Sequence, residues 1–249
     1  MKTKILIILY VVTTAIACSK KQEPTPELSI YLSKITQPSG VSTFNYDAQN
    51  RMQTRIFLSS NEASNGSYTS NYIYDTNNRV IERHFDMTNP TSADYVYKNT
   101  YDAEGRVVSE NYINKTTGAL ISSKTFTYNP KTVLVERKDA TGTLLGTDLI
   151  TFTTDGKNYA KYESFGPSGT LSVTQAFSGY DDKKNFTVLF PVGMNIPALP
   201  ANNYSTQIVT NNSTGATATV NLSYEYNADG YITKRINGTS VETFEYIKK

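Results

Sequence analysis

Few side chains in this 249-residue chain could carry out covalent or acid–base chemistry, since it has one cysteine, Cys18, and one histidine, His84. One residue of each kind is too few for a protein-built zinc, haem or iron–sulfur site, so the sequence predicts no metal and no cofactor. The sequence around His84, Arg83-His84-Phe85, also lacks the glycine-flanked turn that presents a catalytic serine. His84 is expected to be a surface or rim residue of a strand.

Carboxylates are the other candidates, because a pair of them can hydrolyse glycosidic bonds. Asp47, Asp75 and Asp102 each follow a tyrosine, and turn formation explains them. Repetition also argues against catalysis, since an active site needs a unique constellation. Asp155-Gly156 and Asp181-Asp182 offer oxygen ligands for calcium, but the spacing of an EF-hand is absent. The sequence therefore predicts a non-enzymatic protein, with a carboxylate-based hydrolase as the unfavoured alternative.

Cys18 directly follows a segment with the layout of a signal peptide. Residues 1 to 17 contain two lysines, a short apolar run from Ile5 to Val12, and small residues before the cysteine. The 13 residues from Ile5 to Ala17 are fewer than the roughly 20 that cross a bilayer as a helix. The sequence Ala15-Ile16-Ala17-Cys18-Ser19 resembles the bacterial lipobox. The alternative is that Cys18 is an ordinary residue after a secretory signal.

The lipobox resemblance implies a lipid anchor on Cys18 and a place in the cell envelope, with the outer membrane as the expected site. Its several acyl chains would hold the protein far better than one myristoyl chain, which gives only marginal anchoring. Residues 18 to 28 are polar with two prolines and are expected to form a tether. Whether the protein faces the periplasm or the cell surface stays open.

Charge argues against nucleic acid as a partner. Removal of residues 1 to 17 takes away two of the 24 basic residues and no acid, which leaves 22 residues of each sign. A chain without net charge has no electrostatic footprint for a phosphate backbone.

The remaining chain, residues 29 to 249, has the composition of one β-sheet domain. It accounts for most of the 34 threonines, 22 asparagines, 22 serines and 19 tyrosines of the sequence. Threonine and tyrosine suit a pleated, half-buried surface, whereas asparagine and serine favour turns.

An aromatic residue followed by Tyr-Asp, or by a related pair, recurs about every 27 residues. The aromatic residue ends a strand, and the aspartate or asparagine stabilises the following turn. The residues predicted to take the positive-φ position of that turn are Asn50, Asn78, Gly105, Gly156 and Gly230. A second set of turns lies midway, so each repeat is one hairpin. The eight copies begin at Phe44, Tyr72, Tyr101, Phe126, Phe152, Tyr180, Tyr224 and Phe244.

These hairpins predict an all-β fold: a long antiparallel up-and-down meander of about 16 strands, curled or resembling an open barrel. The pattern resembles the YD repeats of the RHS/YD family, most closely at Tyr46 to Arg51, Tyr74 to Arg79 and Tyr101 to Arg106. With the lipobox, the chain is similar to Bacteroidota-type lipoproteins of YD-like or porin-like β fold. That resemblance implies a structural or binding module without catalysis.

The alternative architecture for sixteen strands is a barrel that spans the membrane. Such a barrel needs an unbroken apolar band on its outer surface. Charged residues instead occupy strand positions: Lys124, Arg137, Lys161, Glu163 and Lys234. The sequence therefore favours a sheet in water that is held to the membrane through Cys18.

The repeat tyrosines are predicted to lie on one face of the sheet, since side chains alternate along a strand. Tyr46, Tyr74, Tyr128 and Tyr226 are the candidate binding residues on that face. The favoured interpretation is that the rings belong to the core and the hydroxyls reach its rim. The alternative is a glycan-binding envelope protein, in which exposed rows of tyrosine and asparagine stack on sugar rings.

The segment from Phe190 to Tyr204 breaks the repeat. Its three prolines exclude a regular central strand, although Val192, Met194, Ile196 and Leu199 are apolar. The favoured interpretation is that the loop folds back to cover an open end of the sheet and protects its edges. The alternative is that these four residues bind a partner, such as another envelope protein.

Overall fold

The computed structural model describes residues 28–61, 66–193 and 200–249. Cys18, Met194, Ile196 and Leu199 lie outside these ranges. The described residues form sixteen strands and one 3₁₀ helix, Phe186–Leu189. None of the helical structure in these ranges is long and apolar enough to cross a membrane.

Each strand pairs antiparallel with the next one in the chain, and β1 pairs with β16, so the sheet closes into a barrel. The strands are β1 (Ile30–Gln37), β2 (Gly40–Tyr46), β3 (Met52–Ser59), β4 (Tyr68–Tyr74), β5 (Val80–Met87), β6 (Tyr95–Tyr101), β7 (Val107–Asn114), β8 (Leu120–Asn129), β9 (Thr132–Asp139), β10 (Leu144–Phe152), β11 (Tyr159–Phe165), β12 (Leu171–Tyr180), β13 (Tyr204–Asn211), β14 (Thr217–Tyr226), β15 (Ile232–Asn237) and β16 (Ser240–Lys248).

The predicted all-β meander of about 16 strands is confirmed, and the structure adds its closure. Leu32 of β1 pairs with Tyr246 of β16, and Ile35 pairs with Phe244, so the truncated last repeat supplies the closing strand. Backbone hydrogen bonds in both directions between Ser29 and Lys249, at 2.9 and 3.0 Å, extend this ladder. The expectation of open edges that need protection is wrong, because a closed barrel has no edge strands.

All eight repeats reach the same end of the barrel, because each repeat ends an even-numbered strand. We call this the YD end; it carries the turns after β2, β4, β6, β8, β10, β12 and β14, and also residues 28 and 29. The opposite end, with the turns after the odd-numbered strands, is the far end. The repeat at Asp181 opens into a linker of residues 181–203 instead of a tight turn.

The turns at the YD end have the predicted backbone geometry. Asn50 and Asn78 both have φ of 60°, and Gly105, Gly156 and Gly230 have φ of 79°, 74° and 81°. The register then shifts by one residue where the returning strand begins: Asn45 pairs with Thr54 while Tyr46 pairs with Met52. Such bulges bend the strand and increase its twist, which helps a long sheet to curl.

The apolar core occupies the YD half of the barrel interior. One cluster contains Leu32, Ile35, Phe44, Met52, Tyr72, Val80, Ile232 and Phe244, and a second contains Val107, Phe126, Val133, Val135 and Ile150. The aromatic pairs of the repeats point inward together, as the alternation predicted. Each buried aliphatic or phenylalanine side chain contributes about 1.5–3 kcal/mol relative to exposure.

The outer wall of the barrel carries charged side chains beside exposed apolar ones such as Ile73, Val241 and Ile247. Ion pairs at 3.0 Å join neighbouring outward side chains, namely Lys34 with Glu245, Lys161 with Glu163 and Lys234 with Glu225. Five charged strand positions were the sequence argument against a membrane-spanning barrel. Two of them face the interior and are not part of the outer wall. Lys124 contacts the buried Glu110 at 2.9 Å and Arg137 contacts the buried Asp148 at 3.2 Å. The remaining three charges suit contact with water rather than with acyl chains.

We expect Gly105→Ala to destabilise the barrel by about 1–2 kcal/mol, because an alanine in the left-handed conformation brings its Cβ close to the carbonyl oxygen. Space is not the cause, since the nearest atom to an added Cβ is Arg79 Nη1 at 3.8 Å. Gly105→Asn is the matched control, because asparagine occupies this turn position at residues 50 and 78. Urea unfolding should rank Gly105→Asn above Gly105→Ala, and equal stability of the two variants would contradict the strain explanation.

Candidate functional site

The repeat tyrosines lie half-buried on the inner wall, and their hydroxyls hold the previous hairpin. Tyr46 donates to the Leu32 carbonyl at 2.7 Å, Tyr74 to that of Met52 at 2.7 Å and Tyr128 to that of Val107 at 2.9 Å. Leu32, Met52 and Val107 each lie at a register shift of their strand. The same bond is made by Tyr101, Tyr180, Tyr224 and Tyr246.

The aspartate and the arginine of each complete repeat are also bound to each other within the turn. Oδ1 of Asp75 accepts the backbone N–H groups of Asn77 and Arg79, both at 2.9 Å, and its Oδ2 accepts Arg79 Nε at 2.7 Å. The hydrogen bond from the Arg79 backbone holds the pKa of Asp75 below its ordinary value, and the guanidinium adds to it. Asp47 and Asp102 make the same contacts, which accounts for all three carboxylates as turn residues.

The repeat arginines connect each turn to the following repeat. The guanidinium of Arg51 lies 4.8 Å from the centre of the Tyr74 ring. Arg79 lies 4.5 Å from the Tyr101 ring, and Arg106 lies 4.7 Å from the Tyr128 ring. An arginine therefore covers the ring face of each of these tyrosines, and the tyrosine hydroxyl is bound to a backbone carbonyl.

Tyr226 differs from the other candidate tyrosines, because its hydroxyl donates to a side chain, Asp181. Burial raises the pKa of Tyr226, and the Asp181 carboxylate raises it further. Asp181 also accepts the backbone N–H of Asn203 at 3.1 Å. These residues line a shallow pocket of about 250 Å³ at the YD end.

The linker after β12 packs into the YD end. Phe186 lies 4.8 Å from Phe244 between ring centres, and Phe190 lies 5.9 Å from Phe44. The linker then crosses toward β5, where the Val192 carbonyl accepts the Val80 N–H at 3.2 Å. The Val192 side chain itself is 56% exposed. This course fits the interpretation of the segment as a cover for the barrel end.

A buried charged cluster lies in the lumen above the apolar core. The guanidinium of Arg83 is 2% exposed and lies 5.0 Å from the Phe85 ring and 4.5 Å from the Tyr97 ring. Its Nη2 is 3.6 Å from the buried Glu110 carboxylate. Burial lowers the pKa of Arg83, whereas Glu110 opposes this effect.

Around Arg83, aromatic side chains continue along the inner wall from β3 to β7. Tyr97 stacks on Tyr112 with ring centres 5.0 Å apart, and Phe85 stacks on Tyr95 at 4.7 Å. Most of these rings are only half-buried. The set comprises Phe57, Tyr68, Phe85, Tyr95, Tyr97 and Tyr112.

A cavity of about 180 Å³ lies on the opposite wall, between β13 and β16; we call it the lumen pocket. Arg235 forms an ion pair with Glu242 inside it, and Gln207 Nε2 donates to Gln175 Oε1 at 2.7 Å. Asn237 and Ser240 flank the turn at 238–239, so the pocket is entered from the far end. Its lining residues are Tyr204, Gln207, Val220, Leu222, Arg235, Asn237, Ser240 and Glu242.

Sequence reasoning missed the lumen pocket and the Arg83 cluster, although a signal was present. Arg83 precedes Phe85 by two residues, so both side chains point to the same side of the strand. Extending the inward direction of Phe244 along β16 would likewise have placed Glu242 in the interior. No three potential metal-ligating side chains come together within the described ranges.

The fold is a closed antiparallel barrel of sixteen strands, and it is similar to that of two solved structures. A porin-like protein from Bacteroides vulgatus ATCC 8482 superimposes with a TM-score of 0.56 at 11% identity, over 88% of this chain and 99% of that one. A porin-like protein from Bacteroides uniformis ATCC 8492 gives 0.53 at 16% identity, over 90% and 98%. No family model and no curated protein matches the chain. These likenesses concern the fold.

We expect Tyr74→Phe to destabilise the protein by about 1–3 kcal/mol, because it leaves the buried Met52 carbonyl without its hydroxyl donor. Tyr68→Phe is the matched control, since the Tyr68 hydroxyl makes no hydrogen bond within the described residues. Chemical unfolding of both variants measures the difference. Equal losses would show that the hydroxyl bond to Met52 contributes nothing beyond ring packing.

Alkaline pH should unfold the barrel through its tyrosines. Burial raises the pKa of Tyr72 and of Tyr128 from 10.0 to about 12. Their stabilising contribution is therefore complete below pH 10 and is lost as pH rises toward the folded-state pKa. The melting temperature should fall above pH 10, and the tyrosinate absorbance should rise together with loss of the β-sheet circular dichroism. Ionisation of most tyrosines near pH 10 in a still-folded protein would contradict this expectation.

Proposed function

We propose that this chain is a lipid-anchored, non-enzymatic protein of the cell envelope, whose barrel serves as a structural or binding module. The paired charges on the outer wall are the observation that carries the proposal. These Lys–Glu pairs suit water, so the barrel needs an attachment other than its own strands. The lipobox-like sequence at Cys18 supplies that attachment, with the outer membrane as the proposed site.

The position of the tether orients the barrel in this proposal. Residue 28 leaves the barrel at the YD end, beside the 3₁₀-helix linker. The 11 residues from 18 to 28 reach at most about 40 Å when fully extended. The YD end therefore lies on the membrane side, and the far end with its lumen opening lies on the side of the solvent.

We propose that the chain is a YD-like repeat lipoprotein. In this proposal the recurring residue types of the repeats stabilise the barrel and do not bind a substrate. Asp47, Asp75 and Asp102 are bound to their own turns. In the lumen, Glu110 lies beside Lys124 and Asp148 beside Arg137. These pairings disfavour the hydrolase alternative, because a general acid or nucleophile must be available to the substrate.

Glycan binding is the second candidate function, and the lumen favours it more than the repeat tyrosines do. The hydroxyls of Tyr46, Tyr74 and Tyr128 donate hydrogen bonds to backbone carbonyls. Arginine side chains also cover the rings of Tyr74 and Tyr128. The inner wall near the far end instead combines half-buried aromatic rings with polar side chains. Sugars are recognised by that combination of flat apolar surface and placed hydrogen-bonding groups.

The anchor is tested by Cys18→Ser in the full-length chain expressed in a Gram-negative host. We expect the variant to move from the membrane to the soluble fraction and to lose labelling by radioactive palmitate, because it lacks the acylated thiol. Ser19→Ala is the matched control, since it changes the neighbouring hydroxyl and keeps the thiol. Membrane retention of Cys18→Ser would refute lipidation as the means of attachment.

A further inference from the structure

We propose that the lumen pocket binds one neutral sugar residue of a glycan that enters from the far end. This inference deepens the proposed function and rests on it, because it names a ligand class and the residues for a binding barrel. The pocket differs from the predicted tyrosine rows in every residue. It lies on the inner wall formed by β13 to β16, with Tyr204 toward the YD end and Asn237 and Ser240 at its mouth.

The size of the pocket limits its occupant. A cavity of about 180 Å³ is comparable in size with a single six-membered sugar ring. Because the pocket opens toward the far end, the rest of a glycan chain would extend out of the barrel.

The lining supplies both kinds of surface that a sugar presents. Val220 and Leu222 give an apolar wall, and the Tyr204 ring, 5.0 Å from Phe177 between ring centres, is positioned for contact with the C–H face of a ring. Arg235 and Gln207 provide donors, and Glu242 provides an acceptor. Asn237 and Ser240 line the pocket, and within the described residues their side chains make no hydrogen bond.

Charge balance argues for a neutral ligand. Arg235 and Glu242 are directly opposite each other on β15 and β16 and form an ion pair. A charged ligand would have to compete with this pair, which would leave a partly buried charge without its partner. A neutral polyol can instead donate a hydroxyl to Glu242 and accept from Arg235 while the pair stays intact, and hydrogen bonds to charged groups are the stronger ones.

The test is to titrate the mature chain with sugars and to measure binding by saturation-transfer NMR and calorimetry. The ligands are glucose, galactose, mannose and N-acetylglucosamine, and then a β-linked disaccharide of each. Glucuronate is the charged comparison. We expect at least one neutral sugar to bind and to bind more tightly than glucuronate. Failure of all four neutral sugars and their disaccharides to bind would overturn the inference, and so would preferential binding of glucuronate.

Site assignment uses two matched substitutions on the same pair of hairpins. Glu242→Gln removes the lumenal carboxylate and should weaken sugar binding by about tenfold or more. Glu225→Gln removes an outward carboxylate that is paired with Lys234 at 3.0 Å, and it should leave binding unchanged. Equal effects of the two substitutions would place the site elsewhere and overturn the assignment.

Asn237→Ala keeps the assignment testable if Glu242→Gln fails to fold, because Asn237 is exposed at the pocket mouth. We expect a weaker but measurable loss of sugar affinity with unchanged melting temperature. Unchanged affinity would count against the pocket. Fractionation of Cys18→Ser separates the two proposals, since the protein can keep its membrane anchor and still fail to bind sugar.

Discussion

The hydrogen bond from a repeat tyrosine to a bulge carbonyl is the interaction on which this barrel depends. A bulge interrupts the ladder of the strand, and a buried carbonyl without a partner is costly. Tyr74 and Tyr101 meet this need for Met52 and Val80 of the preceding hairpin, at 2.7 and 2.6 Å. The arginines of the turns then lie over the same rings. A motif of Tyr, Asp and Arg therefore joins each hairpin to its neighbour, so the repeat explains the cohesion of the sheet as well as its turns.

Sequence reasoning reached the strands, the turns and the direction of the aromatic side chains, because these depend on local patterns. The positive φ of Asn50, Asn78 and Gly105 follows from residue type and spacing alone. Closure could not be derived in the same way, since it depends on twist accumulated over sixteen strands. The pairing of Ile35 with Phe244 joins residues from opposite ends of the chain, and no local sequence pattern predicts it.

The interior was harder to anticipate, because a barrel of sixteen strands is wider than its side chains can fill. At the YD end the gap is reduced by aromatic repeats and by the linker, whose Phe186 and Phe190 enter the core. The sequence predicted that the Phe190 to Tyr204 segment covers an open end of the sheet. The closed barrel has no open sheet edge to protect, and Phe190 packs against Phe44 inside it.

The far half of the lumen holds charged residues, and these have an energetic consequence. Arg83 and Glu110 are 2% and 3% exposed, and Arg235 and Glu242 lie partly buried in the pocket. Replacement of buried ion pairs by apolar side chains is often neutral or stabilising, so stability alone is a weak reason for them. The Arg83 pair is enclosed by aromatic rings. The Arg235 pair adjoins an open pocket, and a polar ligand there would use the donors and acceptors that the ion pair leaves available.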